Sequence, residues 1–361
     1  MAEPISSAIA AFKAGEIIVV RDDDDREGEG DLFLAASLAT PEKMAFMIRH
    51  TSGIVCAPLP PEDARRLRLD PMVSANDAPL GTAFTVSVDV RNGLTTGISA
   101  EERTNTVRAL ANANIGAADF VRPGHVFPLI AREGGVLMRS GHTEACVDLC
   151  RLAGLPQVGV LAELMNDEGT VMKGREIEDF ACRHKLKLLT VADLIAFRQS
   201  REKLVERVAT FLVKTAIGTL QGYAYVTSFD PVHHFAFVHG DISNGREVLT
   251  RLHRADVISD VLNGSRTIHS VLERFKEEGR GVLVYLRDGT AGVPAATLPG
   301  ADKKGSEAAR TRLWREIGLG AQILRDLGIS SIRLISSHER NYVGLSGFDI
   351  EIVKSERSSN Q

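Results

Sequence analysis

Ten residues near the N-terminus, Asp22 to Asp31, read DDDDREGEGD and set seven carboxylates against one cation, Arg26. Carboxylates this crowded repel one another unless a metal ion, a proton or an arginine compensates. Whatever fold the chain adopts must therefore put this stretch on a loop and supply it with counter-charge. The flanks agree: EIIVV (Glu16–Val20) before it and LFLAA (Leu32–Ala36) after it are apolar runs of buried-strand length. The expectation is a loop clamped between two core strands, with Gly28 and Gly30 turning the backbone so that neighbouring carboxylates converge. Hard oxygen ligands in that arrangement suit Mg2+ or Mn2+, which keep several waters and take substrate oxygens as well. The plain alternative is a solvated charge run on a surface loop. What decides between them lies further along the chain.

A chain of 361 residues exceeds the usual single-domain size, so two domains are expected. A net charge of −4 and the lack of any long basic tract argue against nucleic-acid binding. No apolar run reaches the roughly eighteen residues of a membrane span, and MAEPISSAIA carries no signal-peptide pattern, so a cytoplasmic protein without membrane contact is expected. Its four cysteines, Cys56, Cys146, Cys150 and Cys182, then read as reduced thiols. Cys146 and Cys150 stand four apart in an expected helix and read as core residues rather than a metal pair.

In order, Pro4–Lys13 has the spacing of a short helix ended by Gly15. Thr40 and Pro41 supply the N-cap and first-turn proline of a helix through about Arg49. A strand is expected at His50–Cys56, a helix at Pro60–Leu67, an irregular polar loop at Leu69–Gly81 and a half-buried alternating strand at Ala83–Val90. Ser99 with Glu102 forms a capping box for a helix to about Ala113. Pro123, Gly124 and Pro128 restrain the backbone around His125. The turn RSGHTE (Arg139–Glu144) leads into a helix closed by Gly154, and the strand Gln157–Leu164 places Glu163 near its end. A helix at 175–184 and the strand–helix pair KLLTVADLIAF finish by Arg198. The alternation is irregular, which predicts an α+β fold rather than a βαβ series. The polar stretch Gln199–Lys203 is the expected boundary between domains at 1–200 and 204–361. The second part opens β-rich, continues through a helix at Ile268–Glu278, a strand at Gly281–Arg287 and a helical stretch to Leu327, and closes on the strands SSIRLISS and FDIEIV. Ala291–Gly305 is rich in Gly, Pro and Ala and reads as a loop.

The turn RSGHTE carries the clearest local chemistry. Its Gly141 precedes a helix start, where free N–H groups and the positive dipole end favour an anion. Arg139 and Thr143 would add donors for a phosphate, and His142 can serve as a neutral imidazole ligand to a metal. Each group also has an ordinary reading: His142 as a satisfied core histidine, His125 as a turn cap, Glu163 as half of a surface ion pair.

The ordered set is more specific. DREGEGD after a strand, SGIVC, a TTGIS turn before EER (Glu101–Arg103), RPGHVFPL, RSGHTEA and GVLAELMNDEGT occur in this sequence over residues 1–200. This set resembles the 3,4-dihydroxy-2-butanone 4-phosphate synthase family, enzymes of riboflavin biosynthesis that convert D-ribulose 5-phosphate to the butanone phosphate and formate. One departure is Gly28, where the family commonly has Asn. The resemblance implies an α+β domain that pairs into a homodimer with active sites at or near the subunit interface. It implies Glu27 and His142 as ligands of a divalent metal, Mg2+ or Mn2+. Arg26, Glu27, Asp31 and Arg139, Ser140, Gly141, His142 and Thr143 would hold the sugar phosphate. Glu163 would be a substrate-side carboxylate, and His125 and Glu163 would be essential. Cys56 and Thr95–Thr96 would line the site. The physical reading is compatible: a ketose phosphate needs the proton beside its carbonyl made acidic, and Glu29, Asp31 and Glu163 are candidate acids and bases.

Residues 204–361 resemble GTP cyclohydrolase II through GYAYVTSFDPVHHFAFVHGDI, EGRGVLVYLRD and GLGAQILRDLGISSIRLIS. The active family binds zinc through a C-x10-C-x-C set, and the matching positions here are Asp256, Thr267 and His269. No cysteine follows Cys182, so thiolate ligation in this half is impossible. Leu313-Trp314-Arg315 replaces a D-x-R pair, and the nucleotide loop is rewritten as DGTAGVPAATLPGADKKG. The expectation is a lyase with a degenerate second domain. The alternatives are a bifunctional enzyme that also hydrolyses GTP and an inert regulatory protein.

Overall fold

The computed structural model describes residues 2–22, 26–227, 230–262, 266–287, 318–336 and 350–357. The chain divides into two compact units, Met1–Phe197 and Arg198–Gln361.

The first unit contains α1 (Ala2–Lys13), β1 (Ile18–Arg21), β2 (Gly30–Ala35), α2 (Pro41–His50), β3 (Cys56–Leu59), α3 (Pro61–Arg66) and β4 (Val88–Val90). It continues with α4 (Ala100–Leu110), β5 (Phe120–Ile130), α5 (His142–Leu152), β6 (Gly159–Glu163), α6 (Arg175–Arg183), β7 (Lys187–Thr190) and α7 (Val191–Arg201), within which the division falls. One mixed sheet runs in the order β4-β5-β3-β6-β2-β1-β7. The architecture is α+β, as the irregular alternation predicts. Leu32, Phe33 and Leu34 of β2 are fully buried; apolar side chains of this size each contribute about 1.5–3 kcal/mol when removed from water. Buried neighbours from β1, β3, β6, α2 and α4 pack with Leu32 and Leu34 into one core, while Phe33 meets His142.

The helix ends follow their sequence signals. Thr40 accepts a hydrogen bond from the Lys43 N–H at the start of α2, and Ser99 accepts one from the Glu102 N–H at the start of α4. The strand expected at His50–Cys56 forms only in part: Thr51 makes an isolated antiparallel bridge with Leu164 and Val55 O accepts the Phe127 N–H at 3.0 Å. His50 is the last residue of α2, and β3 begins only at Cys56. Thr51 Oγ1 donates to Met47 O at 2.7 Å and Ser52 N–H donates to Glu163 O at 2.8 Å. The first of these bonds ties Thr51 back to α2, and the second joins Ser52 to β6, so the stretch touches the sheet at single points before β3 begins. The stretch 83–90 also departs from its alternation: Thr85, Ser87 and Asp89, the polar phase, are buried.

The second unit holds β8 (Val205–Thr215), β9 (Gly218–Thr227), β10 (Asp230–His239), β11 (Val248–Arg254), α8 (Arg266–Glu278), β12 (Gly281–Leu286), β13 (Ser331–Ser336) and β14 (Glu351–Arg357). Its sheet runs β14-β13-β11-β12-β10-β9-β8. The β8–β9–β10 side and the β10–β12 pair are antiparallel, and the β12–β11–β13–β14 side is parallel. Leu220, Leu249, Phe275 and Leu283 form its core. Leu313-Trp314-Arg315 and Ala291–Gly305 lie outside the described residues.

Candidate active site

β1 and β2 are antiparallel neighbours, so the acidic run is the loop between two buried strands. Asp23, Asp24 and Asp25 lie outside the described residues; the rest of the loop is organised by Asp22. Its Oδ1 accepts the Glu29 N–H at 3.0 Å, and its Oδ2 accepts the Glu27 N–H at 3.3 Å and Arg26 Nη1 at 2.8 Å. Its own N–H donates to Glu29 O at 3.2 Å. Arg26 also donates to Glu27 Oε2. From just before α6, Lys173 Nζ donates to Glu27 O at 2.7 Å and stands 3.8 Å from Glu29 Oε1.

His142 enters from the first turn of α5, for which Gly141 is the N-cap. Its Nδ1 is 3.7 Å from both Glu27 Oε2 and Asp31 Oδ1. The edge of its ring faces Phe33 at 6.0 Å between centroids. His142 Nε2 and Asp31 Oδ1 are buried and make no hydrogen bond among the described residues. Leaving such groups unsatisfied costs about 1–3 kcal/mol each, so the site is built for something that supplies the missing partners. Ligand atoms of Asp22, Glu27 and His142 lie within 4.8 Å of one another. Among the described residues this is the only such group of three, and its carboxylate and imidazole donors suit a divalent cation.

The electrostatics separate the carboxylates. Burial would raise Glu27, but the contact with His142 and the Arg26 charge hold it at about 2. Burial pushes Asp31 up to about 7; the His142 charge opposes this, and Glu163, Glu27 and Asp22 reinforce it. Burial also raises Glu29, helped by Glu27. Burial works against a charged His142, but the Asp31 charge and the contact with Glu27 outweigh it and lift the ring to about 9.

Glu163 lies directly across the β2–β6 ladder from Asp31, and cross-strand partners share a face. Ser52 Oγ donates to Glu163 Oε2 at 2.6 Å. Phe127, Cys56, Leu161 and Phe33 form one row across β5, β3, β6 and β2. Two residues further toward one end of the sheet lie His125, Glu163 and Asp31, on the same face. His125 is nevertheless three strand spacings from Asp31, about 14 Å. It is held instead by Asp89, whose Oδ2 is 2.7 Å from Nδ1. The metal-grade cluster and His125 thus stand apart within one protomer.

The phosphate-turn residues gather at the start of α5. Ser140 and Thr143 are buried. Arg139 Nη1 donates to Glu144 Oε2 at 2.7 Å, while Nη2 donates to Leu80 O and Thr82 Oγ1, each at 3.2 Å. Thr95 and Thr96 hang on Glu102, with Thr95 N–H at 2.7 Å and Thr95 Oγ1 at 2.8 Å. Cys56 is buried in β3, and burial drives its thiol upward. Cys146 and Cys150 are buried in α5. Sequence reasoning missed Asp22 as a member of the three-residue cluster, although it opens the acidic run. It also missed Ser52, Lys173 and Asp89. Asp89 gave no signal, because its alternation points to solvent.

In the second unit, Asp256 Oδ1 accepts the N–H groups of Ile258 and Ser259, and Oδ2 accepts Ser259 Oγ at 2.9 Å. Asp260 accepts from Tyr285 at 2.7 Å and from the Asp256 N–H at 3.0 Å, and its Oδ1 is 2.9 Å from His253 Nε2.

Comparison with known proteins follows the same division. The family model for 3,4-dihydroxy-2-butanone 4-phosphate synthase matches residues 6–197, and that for GTP cyclohydrolase II matches residues 206–357. The riboflavin biosynthesis protein RibBA of Salinispora arenicola (strain CNS-205) is 44% identical over 365 residues, spanning 97% of this chain and 87% of its own. The crystal structure of RibBX from A. baumannii, a two-domain 3,4-dihydroxy-2-butanone 4-phosphate synthase, is similar with a TM-score of 0.83 and 36% identity, covering 99% of each chain. A 3,4-dihydroxy-2-butanone 4-phosphate synthase solved in complex with two magnesium ions is 47% identical, with a TM-score of 0.54 over 55% of this chain and 97% of that one.

Proposed function

We propose, from the premise that this chain belongs to the 3,4-dihydroxy-2-butanone 4-phosphate synthase family and carries a GTP cyclohydrolase II domain behind it, that its reaction is the conversion of D-ribulose 5-phosphate to L-3,4-dihydroxy-2-butanone 4-phosphate and formate. The observation that carries this reading is the Asp22–Glu27–His142 group, with Glu27 half-buried and the other two buried, beside Asp31 and with the orphaned atoms His142 Nε2 and Asp31 Oδ1. Glu27 and His142, joined by Asp22, would hold Mg2+ or Mn2+. When bound, such an ion draws electron density from a ketose carbonyl and makes the neighbouring C–H acidic. The solved relative with two magnesium ions supports a divalent metal.

The chain's own residues supply the rest. Glu27, held at about 2, stays ionised, whereas Asp31, at about 7, can carry a proton near neutral pH. Neighbouring carboxylates pushed apart in this way divide the acid and base roles. Glu29 and Glu163 are the further candidates for proton transfer, with Ser52 fixing Glu163. Arg26, Arg139 and the N–H groups at the start of α5, with Ser140, Gly141 and Thr143, would bind the sugar phosphate. His125 stands apart from this cluster within one protomer, which supports a homodimer whose sites lie at or near the subunit interface. No described helix is long and apolar enough to cross a membrane, and the charge balance favours no nucleic acid; a cytoplasmic setting is the accompanying proposal.

The second unit, in this reading, does not open GTP, since it holds no cysteine and Asp256 is already committed to hydrogen bonds. The family match over residues 206–357 favours the other reading, a bifunctional enzyme. Formate release from ribulose 5-phosphate, measured with and without Mg2+ or Mn2+, tests the first function. Turnover that survives thorough chelation would remove the metal role.

A further inference from the structure

His125 is supported by a buried polar row that its own strand does not contain. Thr85, Ser87 and Asp89 alternate with apolar residues, yet this polar phase is buried, as is Val88 between Ser87 and Asp89. Each member is spent on β5. Thr85 Oγ1 donates to Pro128 O at 3.2 Å, Ser87 Oγ accepts the Gly124 N–H at 3.1 Å, and Asp89 Oδ1 accepts the His125 N–H at 2.9 Å. Asp89 Oδ2 then meets the ring at Nδ1, 2.7 Å away. Two glycines permit this closeness. A Cβ on Gly124 would lie 2.1 Å from the Val88 carbonyl carbon, so only glycine lets β5 approach β4 here. Gly97, in the TTGIS turn at φ +82, would place a Cβ 2.2 Å from Asp89 Oδ2 and 2.6 Å from His125 Nδ1. The turn therefore closes directly over the Asp89–His125 contact. The charged groups around the pair are Arg103 on α4, which is buried, donates to Gly53 O at 2.9 Å and feels the Asp89 charge, and Glu102 at the start of α4, which holds Thr95 and Thr96.

The exposures differ in a telling way. The Asp89 side chain is 4% exposed and that of His125 is 41% exposed. A carboxylate only accepts hydrogen bonds, so the hydrogen of this contact resides on Nδ1, and in the neutral ring Nε2 is then the nitrogen with the lone pair. We propose that Asp89 is the positioning residue for His125: it fixes the imidazole as the Nδ1–H tautomer and turns Nε2 into the nitrogen that takes and returns protons during turnover. This rests on the reading of His125 as a proton shuttle. It adds to that reading the residue that makes the ring competent, and a reason for the glycine in the TTGIS turn. The physics matches a serine-protease triad, in which an aspartate holds the histidine tautomer and its replacement by asparagine costs about 10⁴ in kcat with the geometry intact.

The test uses the full chain. Asp89→Asn keeps an oxygen for the His125 N–H but offers an amide N–H to Nδ1, which forces the ring into the Nε2–H tautomer. Nitrogen-15 shifts of labelled histidine read the tautomer, and formate release reads turnover. The wild type is expected to show Nδ1–H. Asp89→Asn is expected to show Nε2–H, with kcat down about 10²–10⁴-fold, KM within a few-fold and an altered pH–kcat profile. Asp89→Glu, which retains the carboxylate, is expected to restore Nδ1–H and part of the rate. A wild-type ring in the Nε2–H form overturns the proposal without any variant. So does an Asp89→Asn protein with undiminished kcat while His125→Ala is inactive. Full turnover by His125→Ala would instead defeat the shuttle reading, and the wild-type shifts would still decide whether Asp89 sets the tautomer.

Discussion

In the first unit, Asp22, Glu27, Asp31 and His142 crowd together with two buried polar atoms left unpaired. In the second unit, Asp256, Asp260, His253 and Tyr285 form a cluster of similar chemistry in which the carboxylates are met from within. Asp260 takes the Tyr285 hydroxyl, the Asp256 N–H and the His253 ring, while Asp256 takes two backbone N–H groups and a serine hydroxyl. Burying a polar group costs free energy until it is paired. A cluster that retains that cost is poised for a ligand; one that has satisfied itself is a structural joint. His253 stacks on Tyr285 at 5.3 Å between centroids, which adds packing to the joint.

The sharpest break of this comparison is to cut one residue from each cluster. Glu27→Gln and His142→Ala should each lower formate release by more than about 10²-fold, because even outer-shell partners of a metal are worth 10–100-fold. Neither should unfold the chain, since both residues sit where pairing is incomplete. Asp260→Asn should do the reverse: it should leave formate release within about twofold and lower thermal stability by about 1–3 kcal/mol, the usual cost of an unsatisfied buried group. Near-normal turnover by either first-unit variant would strip that residue of its ligand role. Next in size, His125→Ala and Glu163→Ala should reduce kcat by about 10²–10⁴-fold with KM little changed. A change confined to KM would make them ground-state contacts.

A smaller effect is expected from removing the second unit. Residues 1–200 should still release formate, with a rate change of no more than about tenfold, equivalent to about 1.4 kcal/mol. The full chain should contain no stoichiometric zinc and should not hydrolyse GTP. One zinc per chain with GTP turnover would sharpen the comparison in the opposite direction, making the second cluster a working site. A folded first unit without formate release would show that the units act together.

The sequence and the structure agree best where a local rule is strong. The Thr40 and Ser99 caps, the acidic loop between β1 and β2, and the helix start behind RSGHTE were all legible, because each depends on neighbours within a few residues. The cross-ladder meeting of Asp31 with Glu163 was not, since register is a property of pairing and not of either strand. Asp89 was hidden for a different reason. Alternation assigns polar residues outward, but here the polar row is buried as well as Val88, because β5 brings backbone N–H groups and an imidazole to satisfy it. The His50–Cys56 strand formed only at isolated points because α2 runs through His50 and Thr51 Oγ1 bonds back to it, leaving a single bridge at Thr51 before β3 begins at Cys56.

The smallest effect concerns the TTGIS turn that covers Asp89 and His125. Glu102 holds it through Thr95 N–H and Oγ1, with Ser99 Oγ at 2.9 Å. The backbone hydrogen bonds from Thr95 and Gly97 hold its carboxyl well below the ordinary carboxylate range. Because the folded value is depressed, the contribution of Glu102 is fully present above the ordinary value of 4.5 and is lost only as pH falls through the depressed one. The amide signals of Thr95 and Gly97 should therefore stay flat through pH 4.5 and move only at more acid pH. Glu102→Gln keeps one acceptor oxygen but loses the charge that strengthens the bonds. It should slow turnover about twofold, the scale ordinary for an exposed substitution, and should leave the His125 tautomer unchanged. A loss as large as that of His125→Ala would place Glu102 among the reacting groups and end the distinction between the turn and the dyad beneath it.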